Sequence, residues 1–203
     1  MGLIGRGRPR DDWEYVSTLI KACEKLFARR EIVPSRRAGL VFRPTDVEFL
    51  RELKSKLGPI LHEGEGATKT GFEIVDDVHG TRWVVLDDGN FADLVSSAYT
   101  VGNAMQANGA RDNRLAAVFQ FYPGANLPTT LDAKDWKPGS AGYFIYSYAR
   151  QAYYPFIPIG KDEQGKDQRD RPAELAMGGV MRKAGIATDR SLENWYALWG
   201  IPF

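Results

Sequence analysis

The two histidines of this chain, His62 and His79, are the residues best suited to acid–base chemistry. Glu63 follows His62 directly, and Asp76 and Asp77 stand shortly before His79. A carboxylate beside an imidazole can support it as a general base, and the same residue types bind zinc when enough of them converge. No cysteine lies near either histidine, and both stand among turn-forming residues. We therefore expect two turns here and assign no catalytic and no metal-binding residue.

The stretch from residue 64 to residue 70, GEGATKT, ends in Lys69-Thr70, as phosphate-binding loops do. Such a loop needs a glycine directly before the lysine and a helix after the loop, so that backbone N–H groups meet the phosphates. Thr68 stands in the place of that glycine, and the residues that follow predict a strand. The stretch indicates a polar loop, and we expect no cofactor.

Residues 143–158, YFIYSYARQAYYPFIP, contain seven aromatic side chains and one charged residue, Arg150. Aromatic residues fit strands well, so we interpret the stretch as one long strand. Alternation along that strand would place the following residues on one face: Phe144, Tyr146, Tyr148, Arg150, Tyr154 and Phe156. We expect the aromatic residues that precede Arg150 to pack in the core.

The second half of this stretch is predicted to bind a partner. Pro155 confines it to a sheet edge or a strand end, where open backbone groups can accept another chain. Two tryptophans near residue 200, on a predicted short helix, either dock that helix on the core or mark an interface. The predicted partner-binding residues are Arg150, Tyr153, Tyr154, Phe156, Trp195 and Trp199.

Several local signals mark the helices and strands that would position these residues. Asp11 and Asp12 can cap a helix that carries Cys23 on its apolar side, which indicates a buried thiol. Residues 34–37 predict a basic turn before a short strand at 40–42. Residues 45–48 show the pattern of a capping box, and the helix that follows is expected to stop near residues 58–59.

The order of these elements predicts the fold class. Strands are expected at 72–75, 82–86 and 115–121, and helices are expected after Asn90 and from Pro172. Hairpins separated by single helices are typical of an α+β fold. We predict an antiparallel sheet with helices packed mainly on one side, in two layers.

Length and composition limit the classes of protein to consider. With 203 residues, we divide the chain into a flexible basic N-terminus at 1–10 and one α+β domain at 11–203. The net charge of +1 argues against nucleic-acid binding. A single cysteine excludes an internal disulfide and suits a reducing compartment. No apolar run approaches the roughly 20 residues that span a bilayer. We predict a cytoplasmic protein.

Several stretches of the sequence together resemble the PspA-associated PspAB family of archaea and bacteria. They occur in the family's order along nearly the whole chain, and the aromatic stretch and the Trp-Gly-x-Pro ending are the most specific. The stretches are MGLIGRGRP, LVFRPTDVEFL, DDVHGTRWVV, AAVFQFY, FIYSYARQAYYPFIP, RDRPAEL and ENWYALWGIPF.

The resemblance implies a role in the phage-shock envelope-stress system. It suggests a non-enzymatic adaptor or regulator that binds a PspA-like protein or an HtpX-like membrane protease, with peripheral association at the inner face of the membrane left open. Two other hypotheses stay open. One is a small-ligand-binding protein or enzyme with a pocket near His79 and Arg150; the other is a chaperone-like module that holds an extended client segment.

Overall fold

The computed structural model describes residues 11–29, 31–64, 66–126, 136 and 139–203. The predicted flexible segment 1–10 lies outside the described residues. The chain forms an open antiparallel sheet with helices on one face, which confirms the predicted α+β class. Six strands follow each other in the order β2-β3-β1-β4-β5-β6, and β7 and β8 form a separate hairpin. The strands are β1 (Ile32–Phe42), β2 (Gly71–Asp76), β3 (Arg82–Asp87), β4 (Arg114–Pro123), β5 (Gly142–Ser147), β6 (Ala152–Phe156), β7 (Pro158–Lys161) and β8 (Asp167–Arg169).

Six α-helices are described, and three of them begin at a residue whose side chain caps the helix. The Asp11, Asn90 and Asp170 side chains each accept backbone N–H groups at the start of a helix. Gly185 ends the last helix in the left-handed conformation that glycine adopts most readily. The helices are α1 (Asp12–Val16), α2 (Thr18–Ala28), α3 (Glu48–Arg51), α4 (Leu53–His62), α5 (Phe91–Ala107) and α6 (Arg171–Ala184).

Three local predictions in the first third of the chain are wrong. The expected basic turn at 34–37 belongs to β1, whose register against β4 shifts between Pro34 and Ala38 and so accommodates the proline. The expected capping box does not form, because the helix starts at Glu48 with Val47 as an N-cap that makes no side-chain bond. The next helix continues through Pro59 to His62, since Leu57 and Leu61 extend its buried stripe.

The aromatic stretch 143–158 is not one strand. It folds into the hairpin β5–β6, in which Tyr146 lies opposite Tyr153 and Tyr143 lies opposite Phe156. The chain reverses at residues 148–151, where Gln151 adopts a φ of 50°. No glycine, asparagine or proline marks this turn in the sequence, which is why periodicity alone did not predict it.

The sheet is apolar on both faces. The inner face packs against all six helices and includes Phe144, Tyr146 and Tyr153. The outer face is covered by an irregular segment, residues 195–203. The terminal helix that the sequence predicted does not form, and Leu192–Asn194 make a single 3-10 turn in its place. Alternation along the strands produces this second apolar face, which consists of Val41, Trp83, Val85, Ala116, Val118, Tyr143, Ile145, Tyr154 and Phe156.

Glycines let the covering segment approach closely. A Cβ atom at Gly39 would lie 2.8 Å from the Phe203 ring, which packs edge-on against Trp83 with 6.0 Å between ring centroids. On α6, a Cβ atom at Gly178 would collide with the Trp195 ring, whereas the nearest atom to one at Gly179 lies 4.0 Å away. Two adjacent glycines in one helix therefore have different roles.

We expect Gly178→Ala and Gly179→Ala to change stability in opposite directions. Gly178→Ala should lower the free energy of unfolding by about 1–3 kcal/mol, because the buried Trp195 ring has to move. Gly179→Ala should raise it by about 0.5–1 kcal/mol, because alanine favours the helix. Urea denaturation of the two variants measures both effects. Equal stabilisation by both would show that Trp195 does not need the space at residue 178.

Candidate functional site

A polar cavity opens at the turn between β5 and β6, beside the exposed Arg150. It has a volume of about 320 Å³. Its lining residues come from α1, from the 3-10 turn Arg111–Asn113 and the start of β4 that follows it, and from the β5–β6 turn: Asp12, Arg111, Asp112, Arg114, Tyr148, Ala149 and Gln151. The cavity thus joins the first helix of the described chain to the end of the sheet.

Arg114 is the buried cation of this cavity, and only 7% of its surface is exposed. Its Nη1 donates to Asp12 Oδ2 at 3.0 Å and to the Gly102 carbonyl oxygen at 3.1 Å. Its Nη2 donates to Gln106 Oε1 at 2.7 Å, and the guanidinium lies 4.3 Å from the centre of the Tyr148 ring. These contacts occupy most of the donors that an arginine carries.

Asp12 is the acidic counterpart of Arg114. Besides the arginine, its carboxylate accepts the Tyr146 hydroxyl at 2.8 Å and Gln151 Nε2 at 3.3 Å. Burial, followed by the nearby Asp12 charge, raises the pKa of Tyr146 far above its ordinary value, so this hydroxyl stays protonated and donates. Burial also raises the pKa of Tyr148, although the Arg114 charge opposes the shift. The geometry therefore favours a structural network of paired charges over a catalytic acid or base.

The histidines lie apart from this cavity. His62 ends α4, and its Nε2 lies 2.8 Å from the Thr70 carbonyl oxygen. His79 lies in the β2–β3 turn, where Asp77 accepts the backbone N–H groups of His79 and Thr81. Strands β1 and β4 separate this hairpin from β5–β6, and His79 does not line the cavity beside Arg150. Within the described part of the chain, no three histidine, cysteine or acidic side chains are grouped as metal ligands.

Two further residues have the structural roles that the sequence indicated. Cys23 is buried in α2, and burial raises the pKa of its thiol, as expected of a core residue. Thr70, which ends the loop resembling a phosphate-binding loop, is fully buried, and its hydroxyl donates to Asp88 Oδ2 at 2.7 Å. A strand follows directly at Gly71, so this loop has no helix behind it.

The predicted partner-binding residues lie in different environments. Arg150 is exposed, whereas Tyr153, Tyr154, Phe156 and Trp195 are buried within the chain. The Tyr153 hydroxyl donates to the Val16 carbonyl oxygen at 3.1 Å, and the Phe156 ring contacts the half-buried Trp199 with 5.0 Å between centroids. Partner binding by these six residues stays a prediction, and in this conformation Arg150 is the one whose side chain is most available.

The expectation of an open backbone edge before Pro155 is wrong at Tyr153. Its N–H donates to the Ala187 carbonyl oxygen at 2.7 Å, and its carbonyl oxygen accepts the Asp189 N–H at 2.8 Å. Residues 187–189 thus run beside β6 and cover its edge. A partner cannot add a strand there without displacing this segment.

A second surface, which the sequence did not predict, lies between α6 and residues 190–195. We call it the α6 groove. It has a volume of about 530 Å³ and is lined by Leu175, Arg182, Arg190, Leu192 and Trp195. Leu175 and Leu192 are 46% and 44% exposed, respectively. The sequence contained one indication of this groove. Leu175 does not belong to the buried stripe of α6, which includes Ala173, Met177 and Met181.

One family model, described as PspAB: PspA associated protein B, matches residues 2–203. The chain belongs to the PspAB family. No significant match to a curated protein was found, and none to a solved structure. Among the described residues, no helix is both long enough and apolar enough to cross a membrane. Membership in PspAB links the chain to a system that contains PspA.

We expect Asp12→Ala to destabilise the protein much more than removal of an exposed ion pair. The Asp12 and Arg114 side chains are only 12% and 4% exposed, so the variant leaves a buried cation unpaired, at a cost of about 3–5 kcal/mol. The control is Arg36→Ala, because Arg36 pairs with Asp87 on the surface and is 71% exposed. This control should cost at most about 1 kcal/mol.

Urea denaturation of both variants tests this expectation. A double-mutant cycle of Asp12→Ala with Arg114→Ala then measures the coupling between the two residues, which should be about 0.5–3 kcal/mol. Similar costs for Asp12→Ala and Arg36→Ala, with no coupling in the cycle, would contradict a structural role for this network.

Proposed function

We propose that the chain is a non-enzymatic adaptor or regulator of the phage-shock envelope-stress response, acting in the cytoplasm at the inner face of the membrane by binding a PspA-like protein. The observation that carries this proposal is the match of residues 2–203 to a family described by its association with PspA. An HtpX-like membrane protease is the second candidate partner.

The surface of the molecule supports a binding role. The charged side chains of Asp12 and Arg114 are paired with each other, so these two groups of the cavity already have partners within the chain. The exposed features include Arg150 at the β5–β6 turn and the α6 groove with its two half-exposed leucines. Exposed cations and apolar side chains of this kind are typical of protein interfaces.

The test is capture of the PspA-like protein from the same host by the full-length chain. Both proteins are purified separately, and their affinity is measured at physiological ionic strength. Saturable one-to-one or higher-order binding supports the proposal. Absence of binding to the PspA-like protein, with capture of the HtpX-like protease, would transfer the proposal to that partner; binding to neither would overturn it.

Two single variants separate binding from stability. Arg150→Ala should leave the melting temperature nearly unchanged and weaken capture, because its exposed side chain makes no ion pair among the described residues. Tyr146→Ala should lower the free energy of unfolding by about 3–5 kcal/mol, because its ring is fully buried. Arg51→Ala, at an exposed arginine of α3, is the matched control for charge.

Thermal denaturation and the capture assay are run on the same preparations. If Arg150→Ala captures the partner as well as Arg51→Ala does, Arg150 is not a contact residue. If Arg150→Ala lowers the melting temperature as much as Tyr146→Ala does, the role of Arg150 is structural.

A further inference from the structure

We infer that the α6 groove is the docking site for an acidic amphipathic helix of the protein partner. This inference rests on the proposed function and adds to it the location of the interface and the chemistry of the segment that occupies it. It depends on three properties of the groove: a rigid floor, exposed leucines on two sides, and two arginines that have no acidic partner among the described residues.

The floor of the groove is held rigidly in place. Trp195 is 3% exposed, its ring lies against Gly178 of α6, and its Nε1 donates to the Asp189 carbonyl oxygen at 3.2 Å. Arg169 donates to the Trp195 carbonyl oxygen at 3.1 Å and also forms a bidentate pair with the buried Glu174 of α6. The groove is therefore preformed, which reduces the entropic cost of binding.

The walls of the groove are apolar and exposed. Leu175 stands on α6 and Leu192 stands on the facing segment, and each leaves nearly half of its surface in water. Along α6 the groove extends from Leu175 to Arg182, which is about 10 Å, or two helical turns. A helix that presents apolar residues at i, i+3 or i+4 and i+7 matches this length.

The charges of the groove select the partner. Arg182 and Arg190 are exposed, and neither forms an ion pair with any carboxylate of the described residues. The nearest acidic group in sequence to Arg190 is Asp189, whose carboxylate accepts Ser191 N–H and Asn194 Nδ2. Two unpaired cations beside two leucines complement a segment that carries carboxylates next to its apolar residues.

An anionic membrane would also attract arginines and leucines, but the shape of this surface favours a helix. The groove is concave, with Trp195 at its floor, whereas a bilayer surface needs apolar side chains that protrude. The exposed Glu193 follows Leu192 and would oppose a continuous anionic surface. A helix can instead place its carboxylates only where Arg182 and Arg190 stand.

The first experiment compares charge reversal in the groove with charge reversal elsewhere. The variant Arg182→Glu with Arg190→Glu should bind the PspA-like protein at least about tenfold more weakly than the wild type. The control is Arg36→Glu with Arg51→Glu, which changes the net charge equally at two exposed arginines outside the groove. Melting temperatures of both variants show that each is folded. Equal loss in both variants would overturn the inference, because it would reflect overall charge.

The second experiment locates the partner directly. A photoreactive amino acid placed at residue 192 should crosslink to the PspA-like protein, and the crosslinked peptide should belong to an acidic amphipathic helix. The same amino acid at residue 78 is the control, because Val78 is 93% exposed in the β2–β3 turn. Crosslinking from residue 78 but not from residue 192 would place the interface elsewhere.

The two experiments also separate this inference from the proposed function. If the wild type captures the PspA-like protein and the groove variant captures it equally well, the groove inference is overturned and the proposed function stands. Capture of neither candidate partner by the wild type overturns both. A third outcome is that the wild type binds phosphatidylglycerol vesicles and the groove variant does not, while both capture the PspA-like protein equally. That result would show that the groove contacts a membrane and would overturn the helix-docking inference.

Discussion

A six-stranded sheet that is apolar on both faces has to be covered on both, and this requirement determines most of the structure. The helices bury the inner face, where they enclose Phe144, Tyr146 and Tyr153. Among the described residues, an irregular segment, residues 195–203, covers the outer face with aromatic and aliphatic side chains. The Tyr143 hydroxyl donates to the Phe203 backbone oxygen at 2.9 Å, so this covering layer is also attached by a polar contact.

The covering layer explains why the aromatic stretch 143–158 has a mostly structural role. The hairpin β5–β6 places its aromatic side chains alternately on the two faces, and both faces are buried. Its edge is occupied by residues 187–189. Trp195, the first residue of the segment that covers the outer face, also forms the floor of the α6 groove. Arg150 at the β5–β6 turn and the two leucines of the α6 groove stay exposed in this arrangement.

The sequence was sufficient to predict the fold class, the starts of three helices and several strands, because capping residues and alternation act locally. Asn90 caps α5 as expected, and the strands at 72–75 and 82–86 were located to within a residue or two. The hairpin turn at 148–151 and the irregular segment after Trp195 were missed, since both depend on tertiary contacts. The pairing of Asp12 with Arg114 joins residues far apart in the chain, so the sequence did not predict it. The α6 groove was not predicted either, because it forms only where residues 190–195 lie beside α6.

Residues 195–203 are an integral layer of the fold. Deletion of residues 198–203 tests this role, with stability measured by urea denaturation and surface exposure measured by binding of an apolar fluorescent dye under native conditions. Trp83 and Phe156 would lose part of their cover, so the account predicts a lower free energy of unfolding, by at least about 3 kcal/mol, together with dye binding. An unchanged unfolding midpoint without dye binding would contradict it.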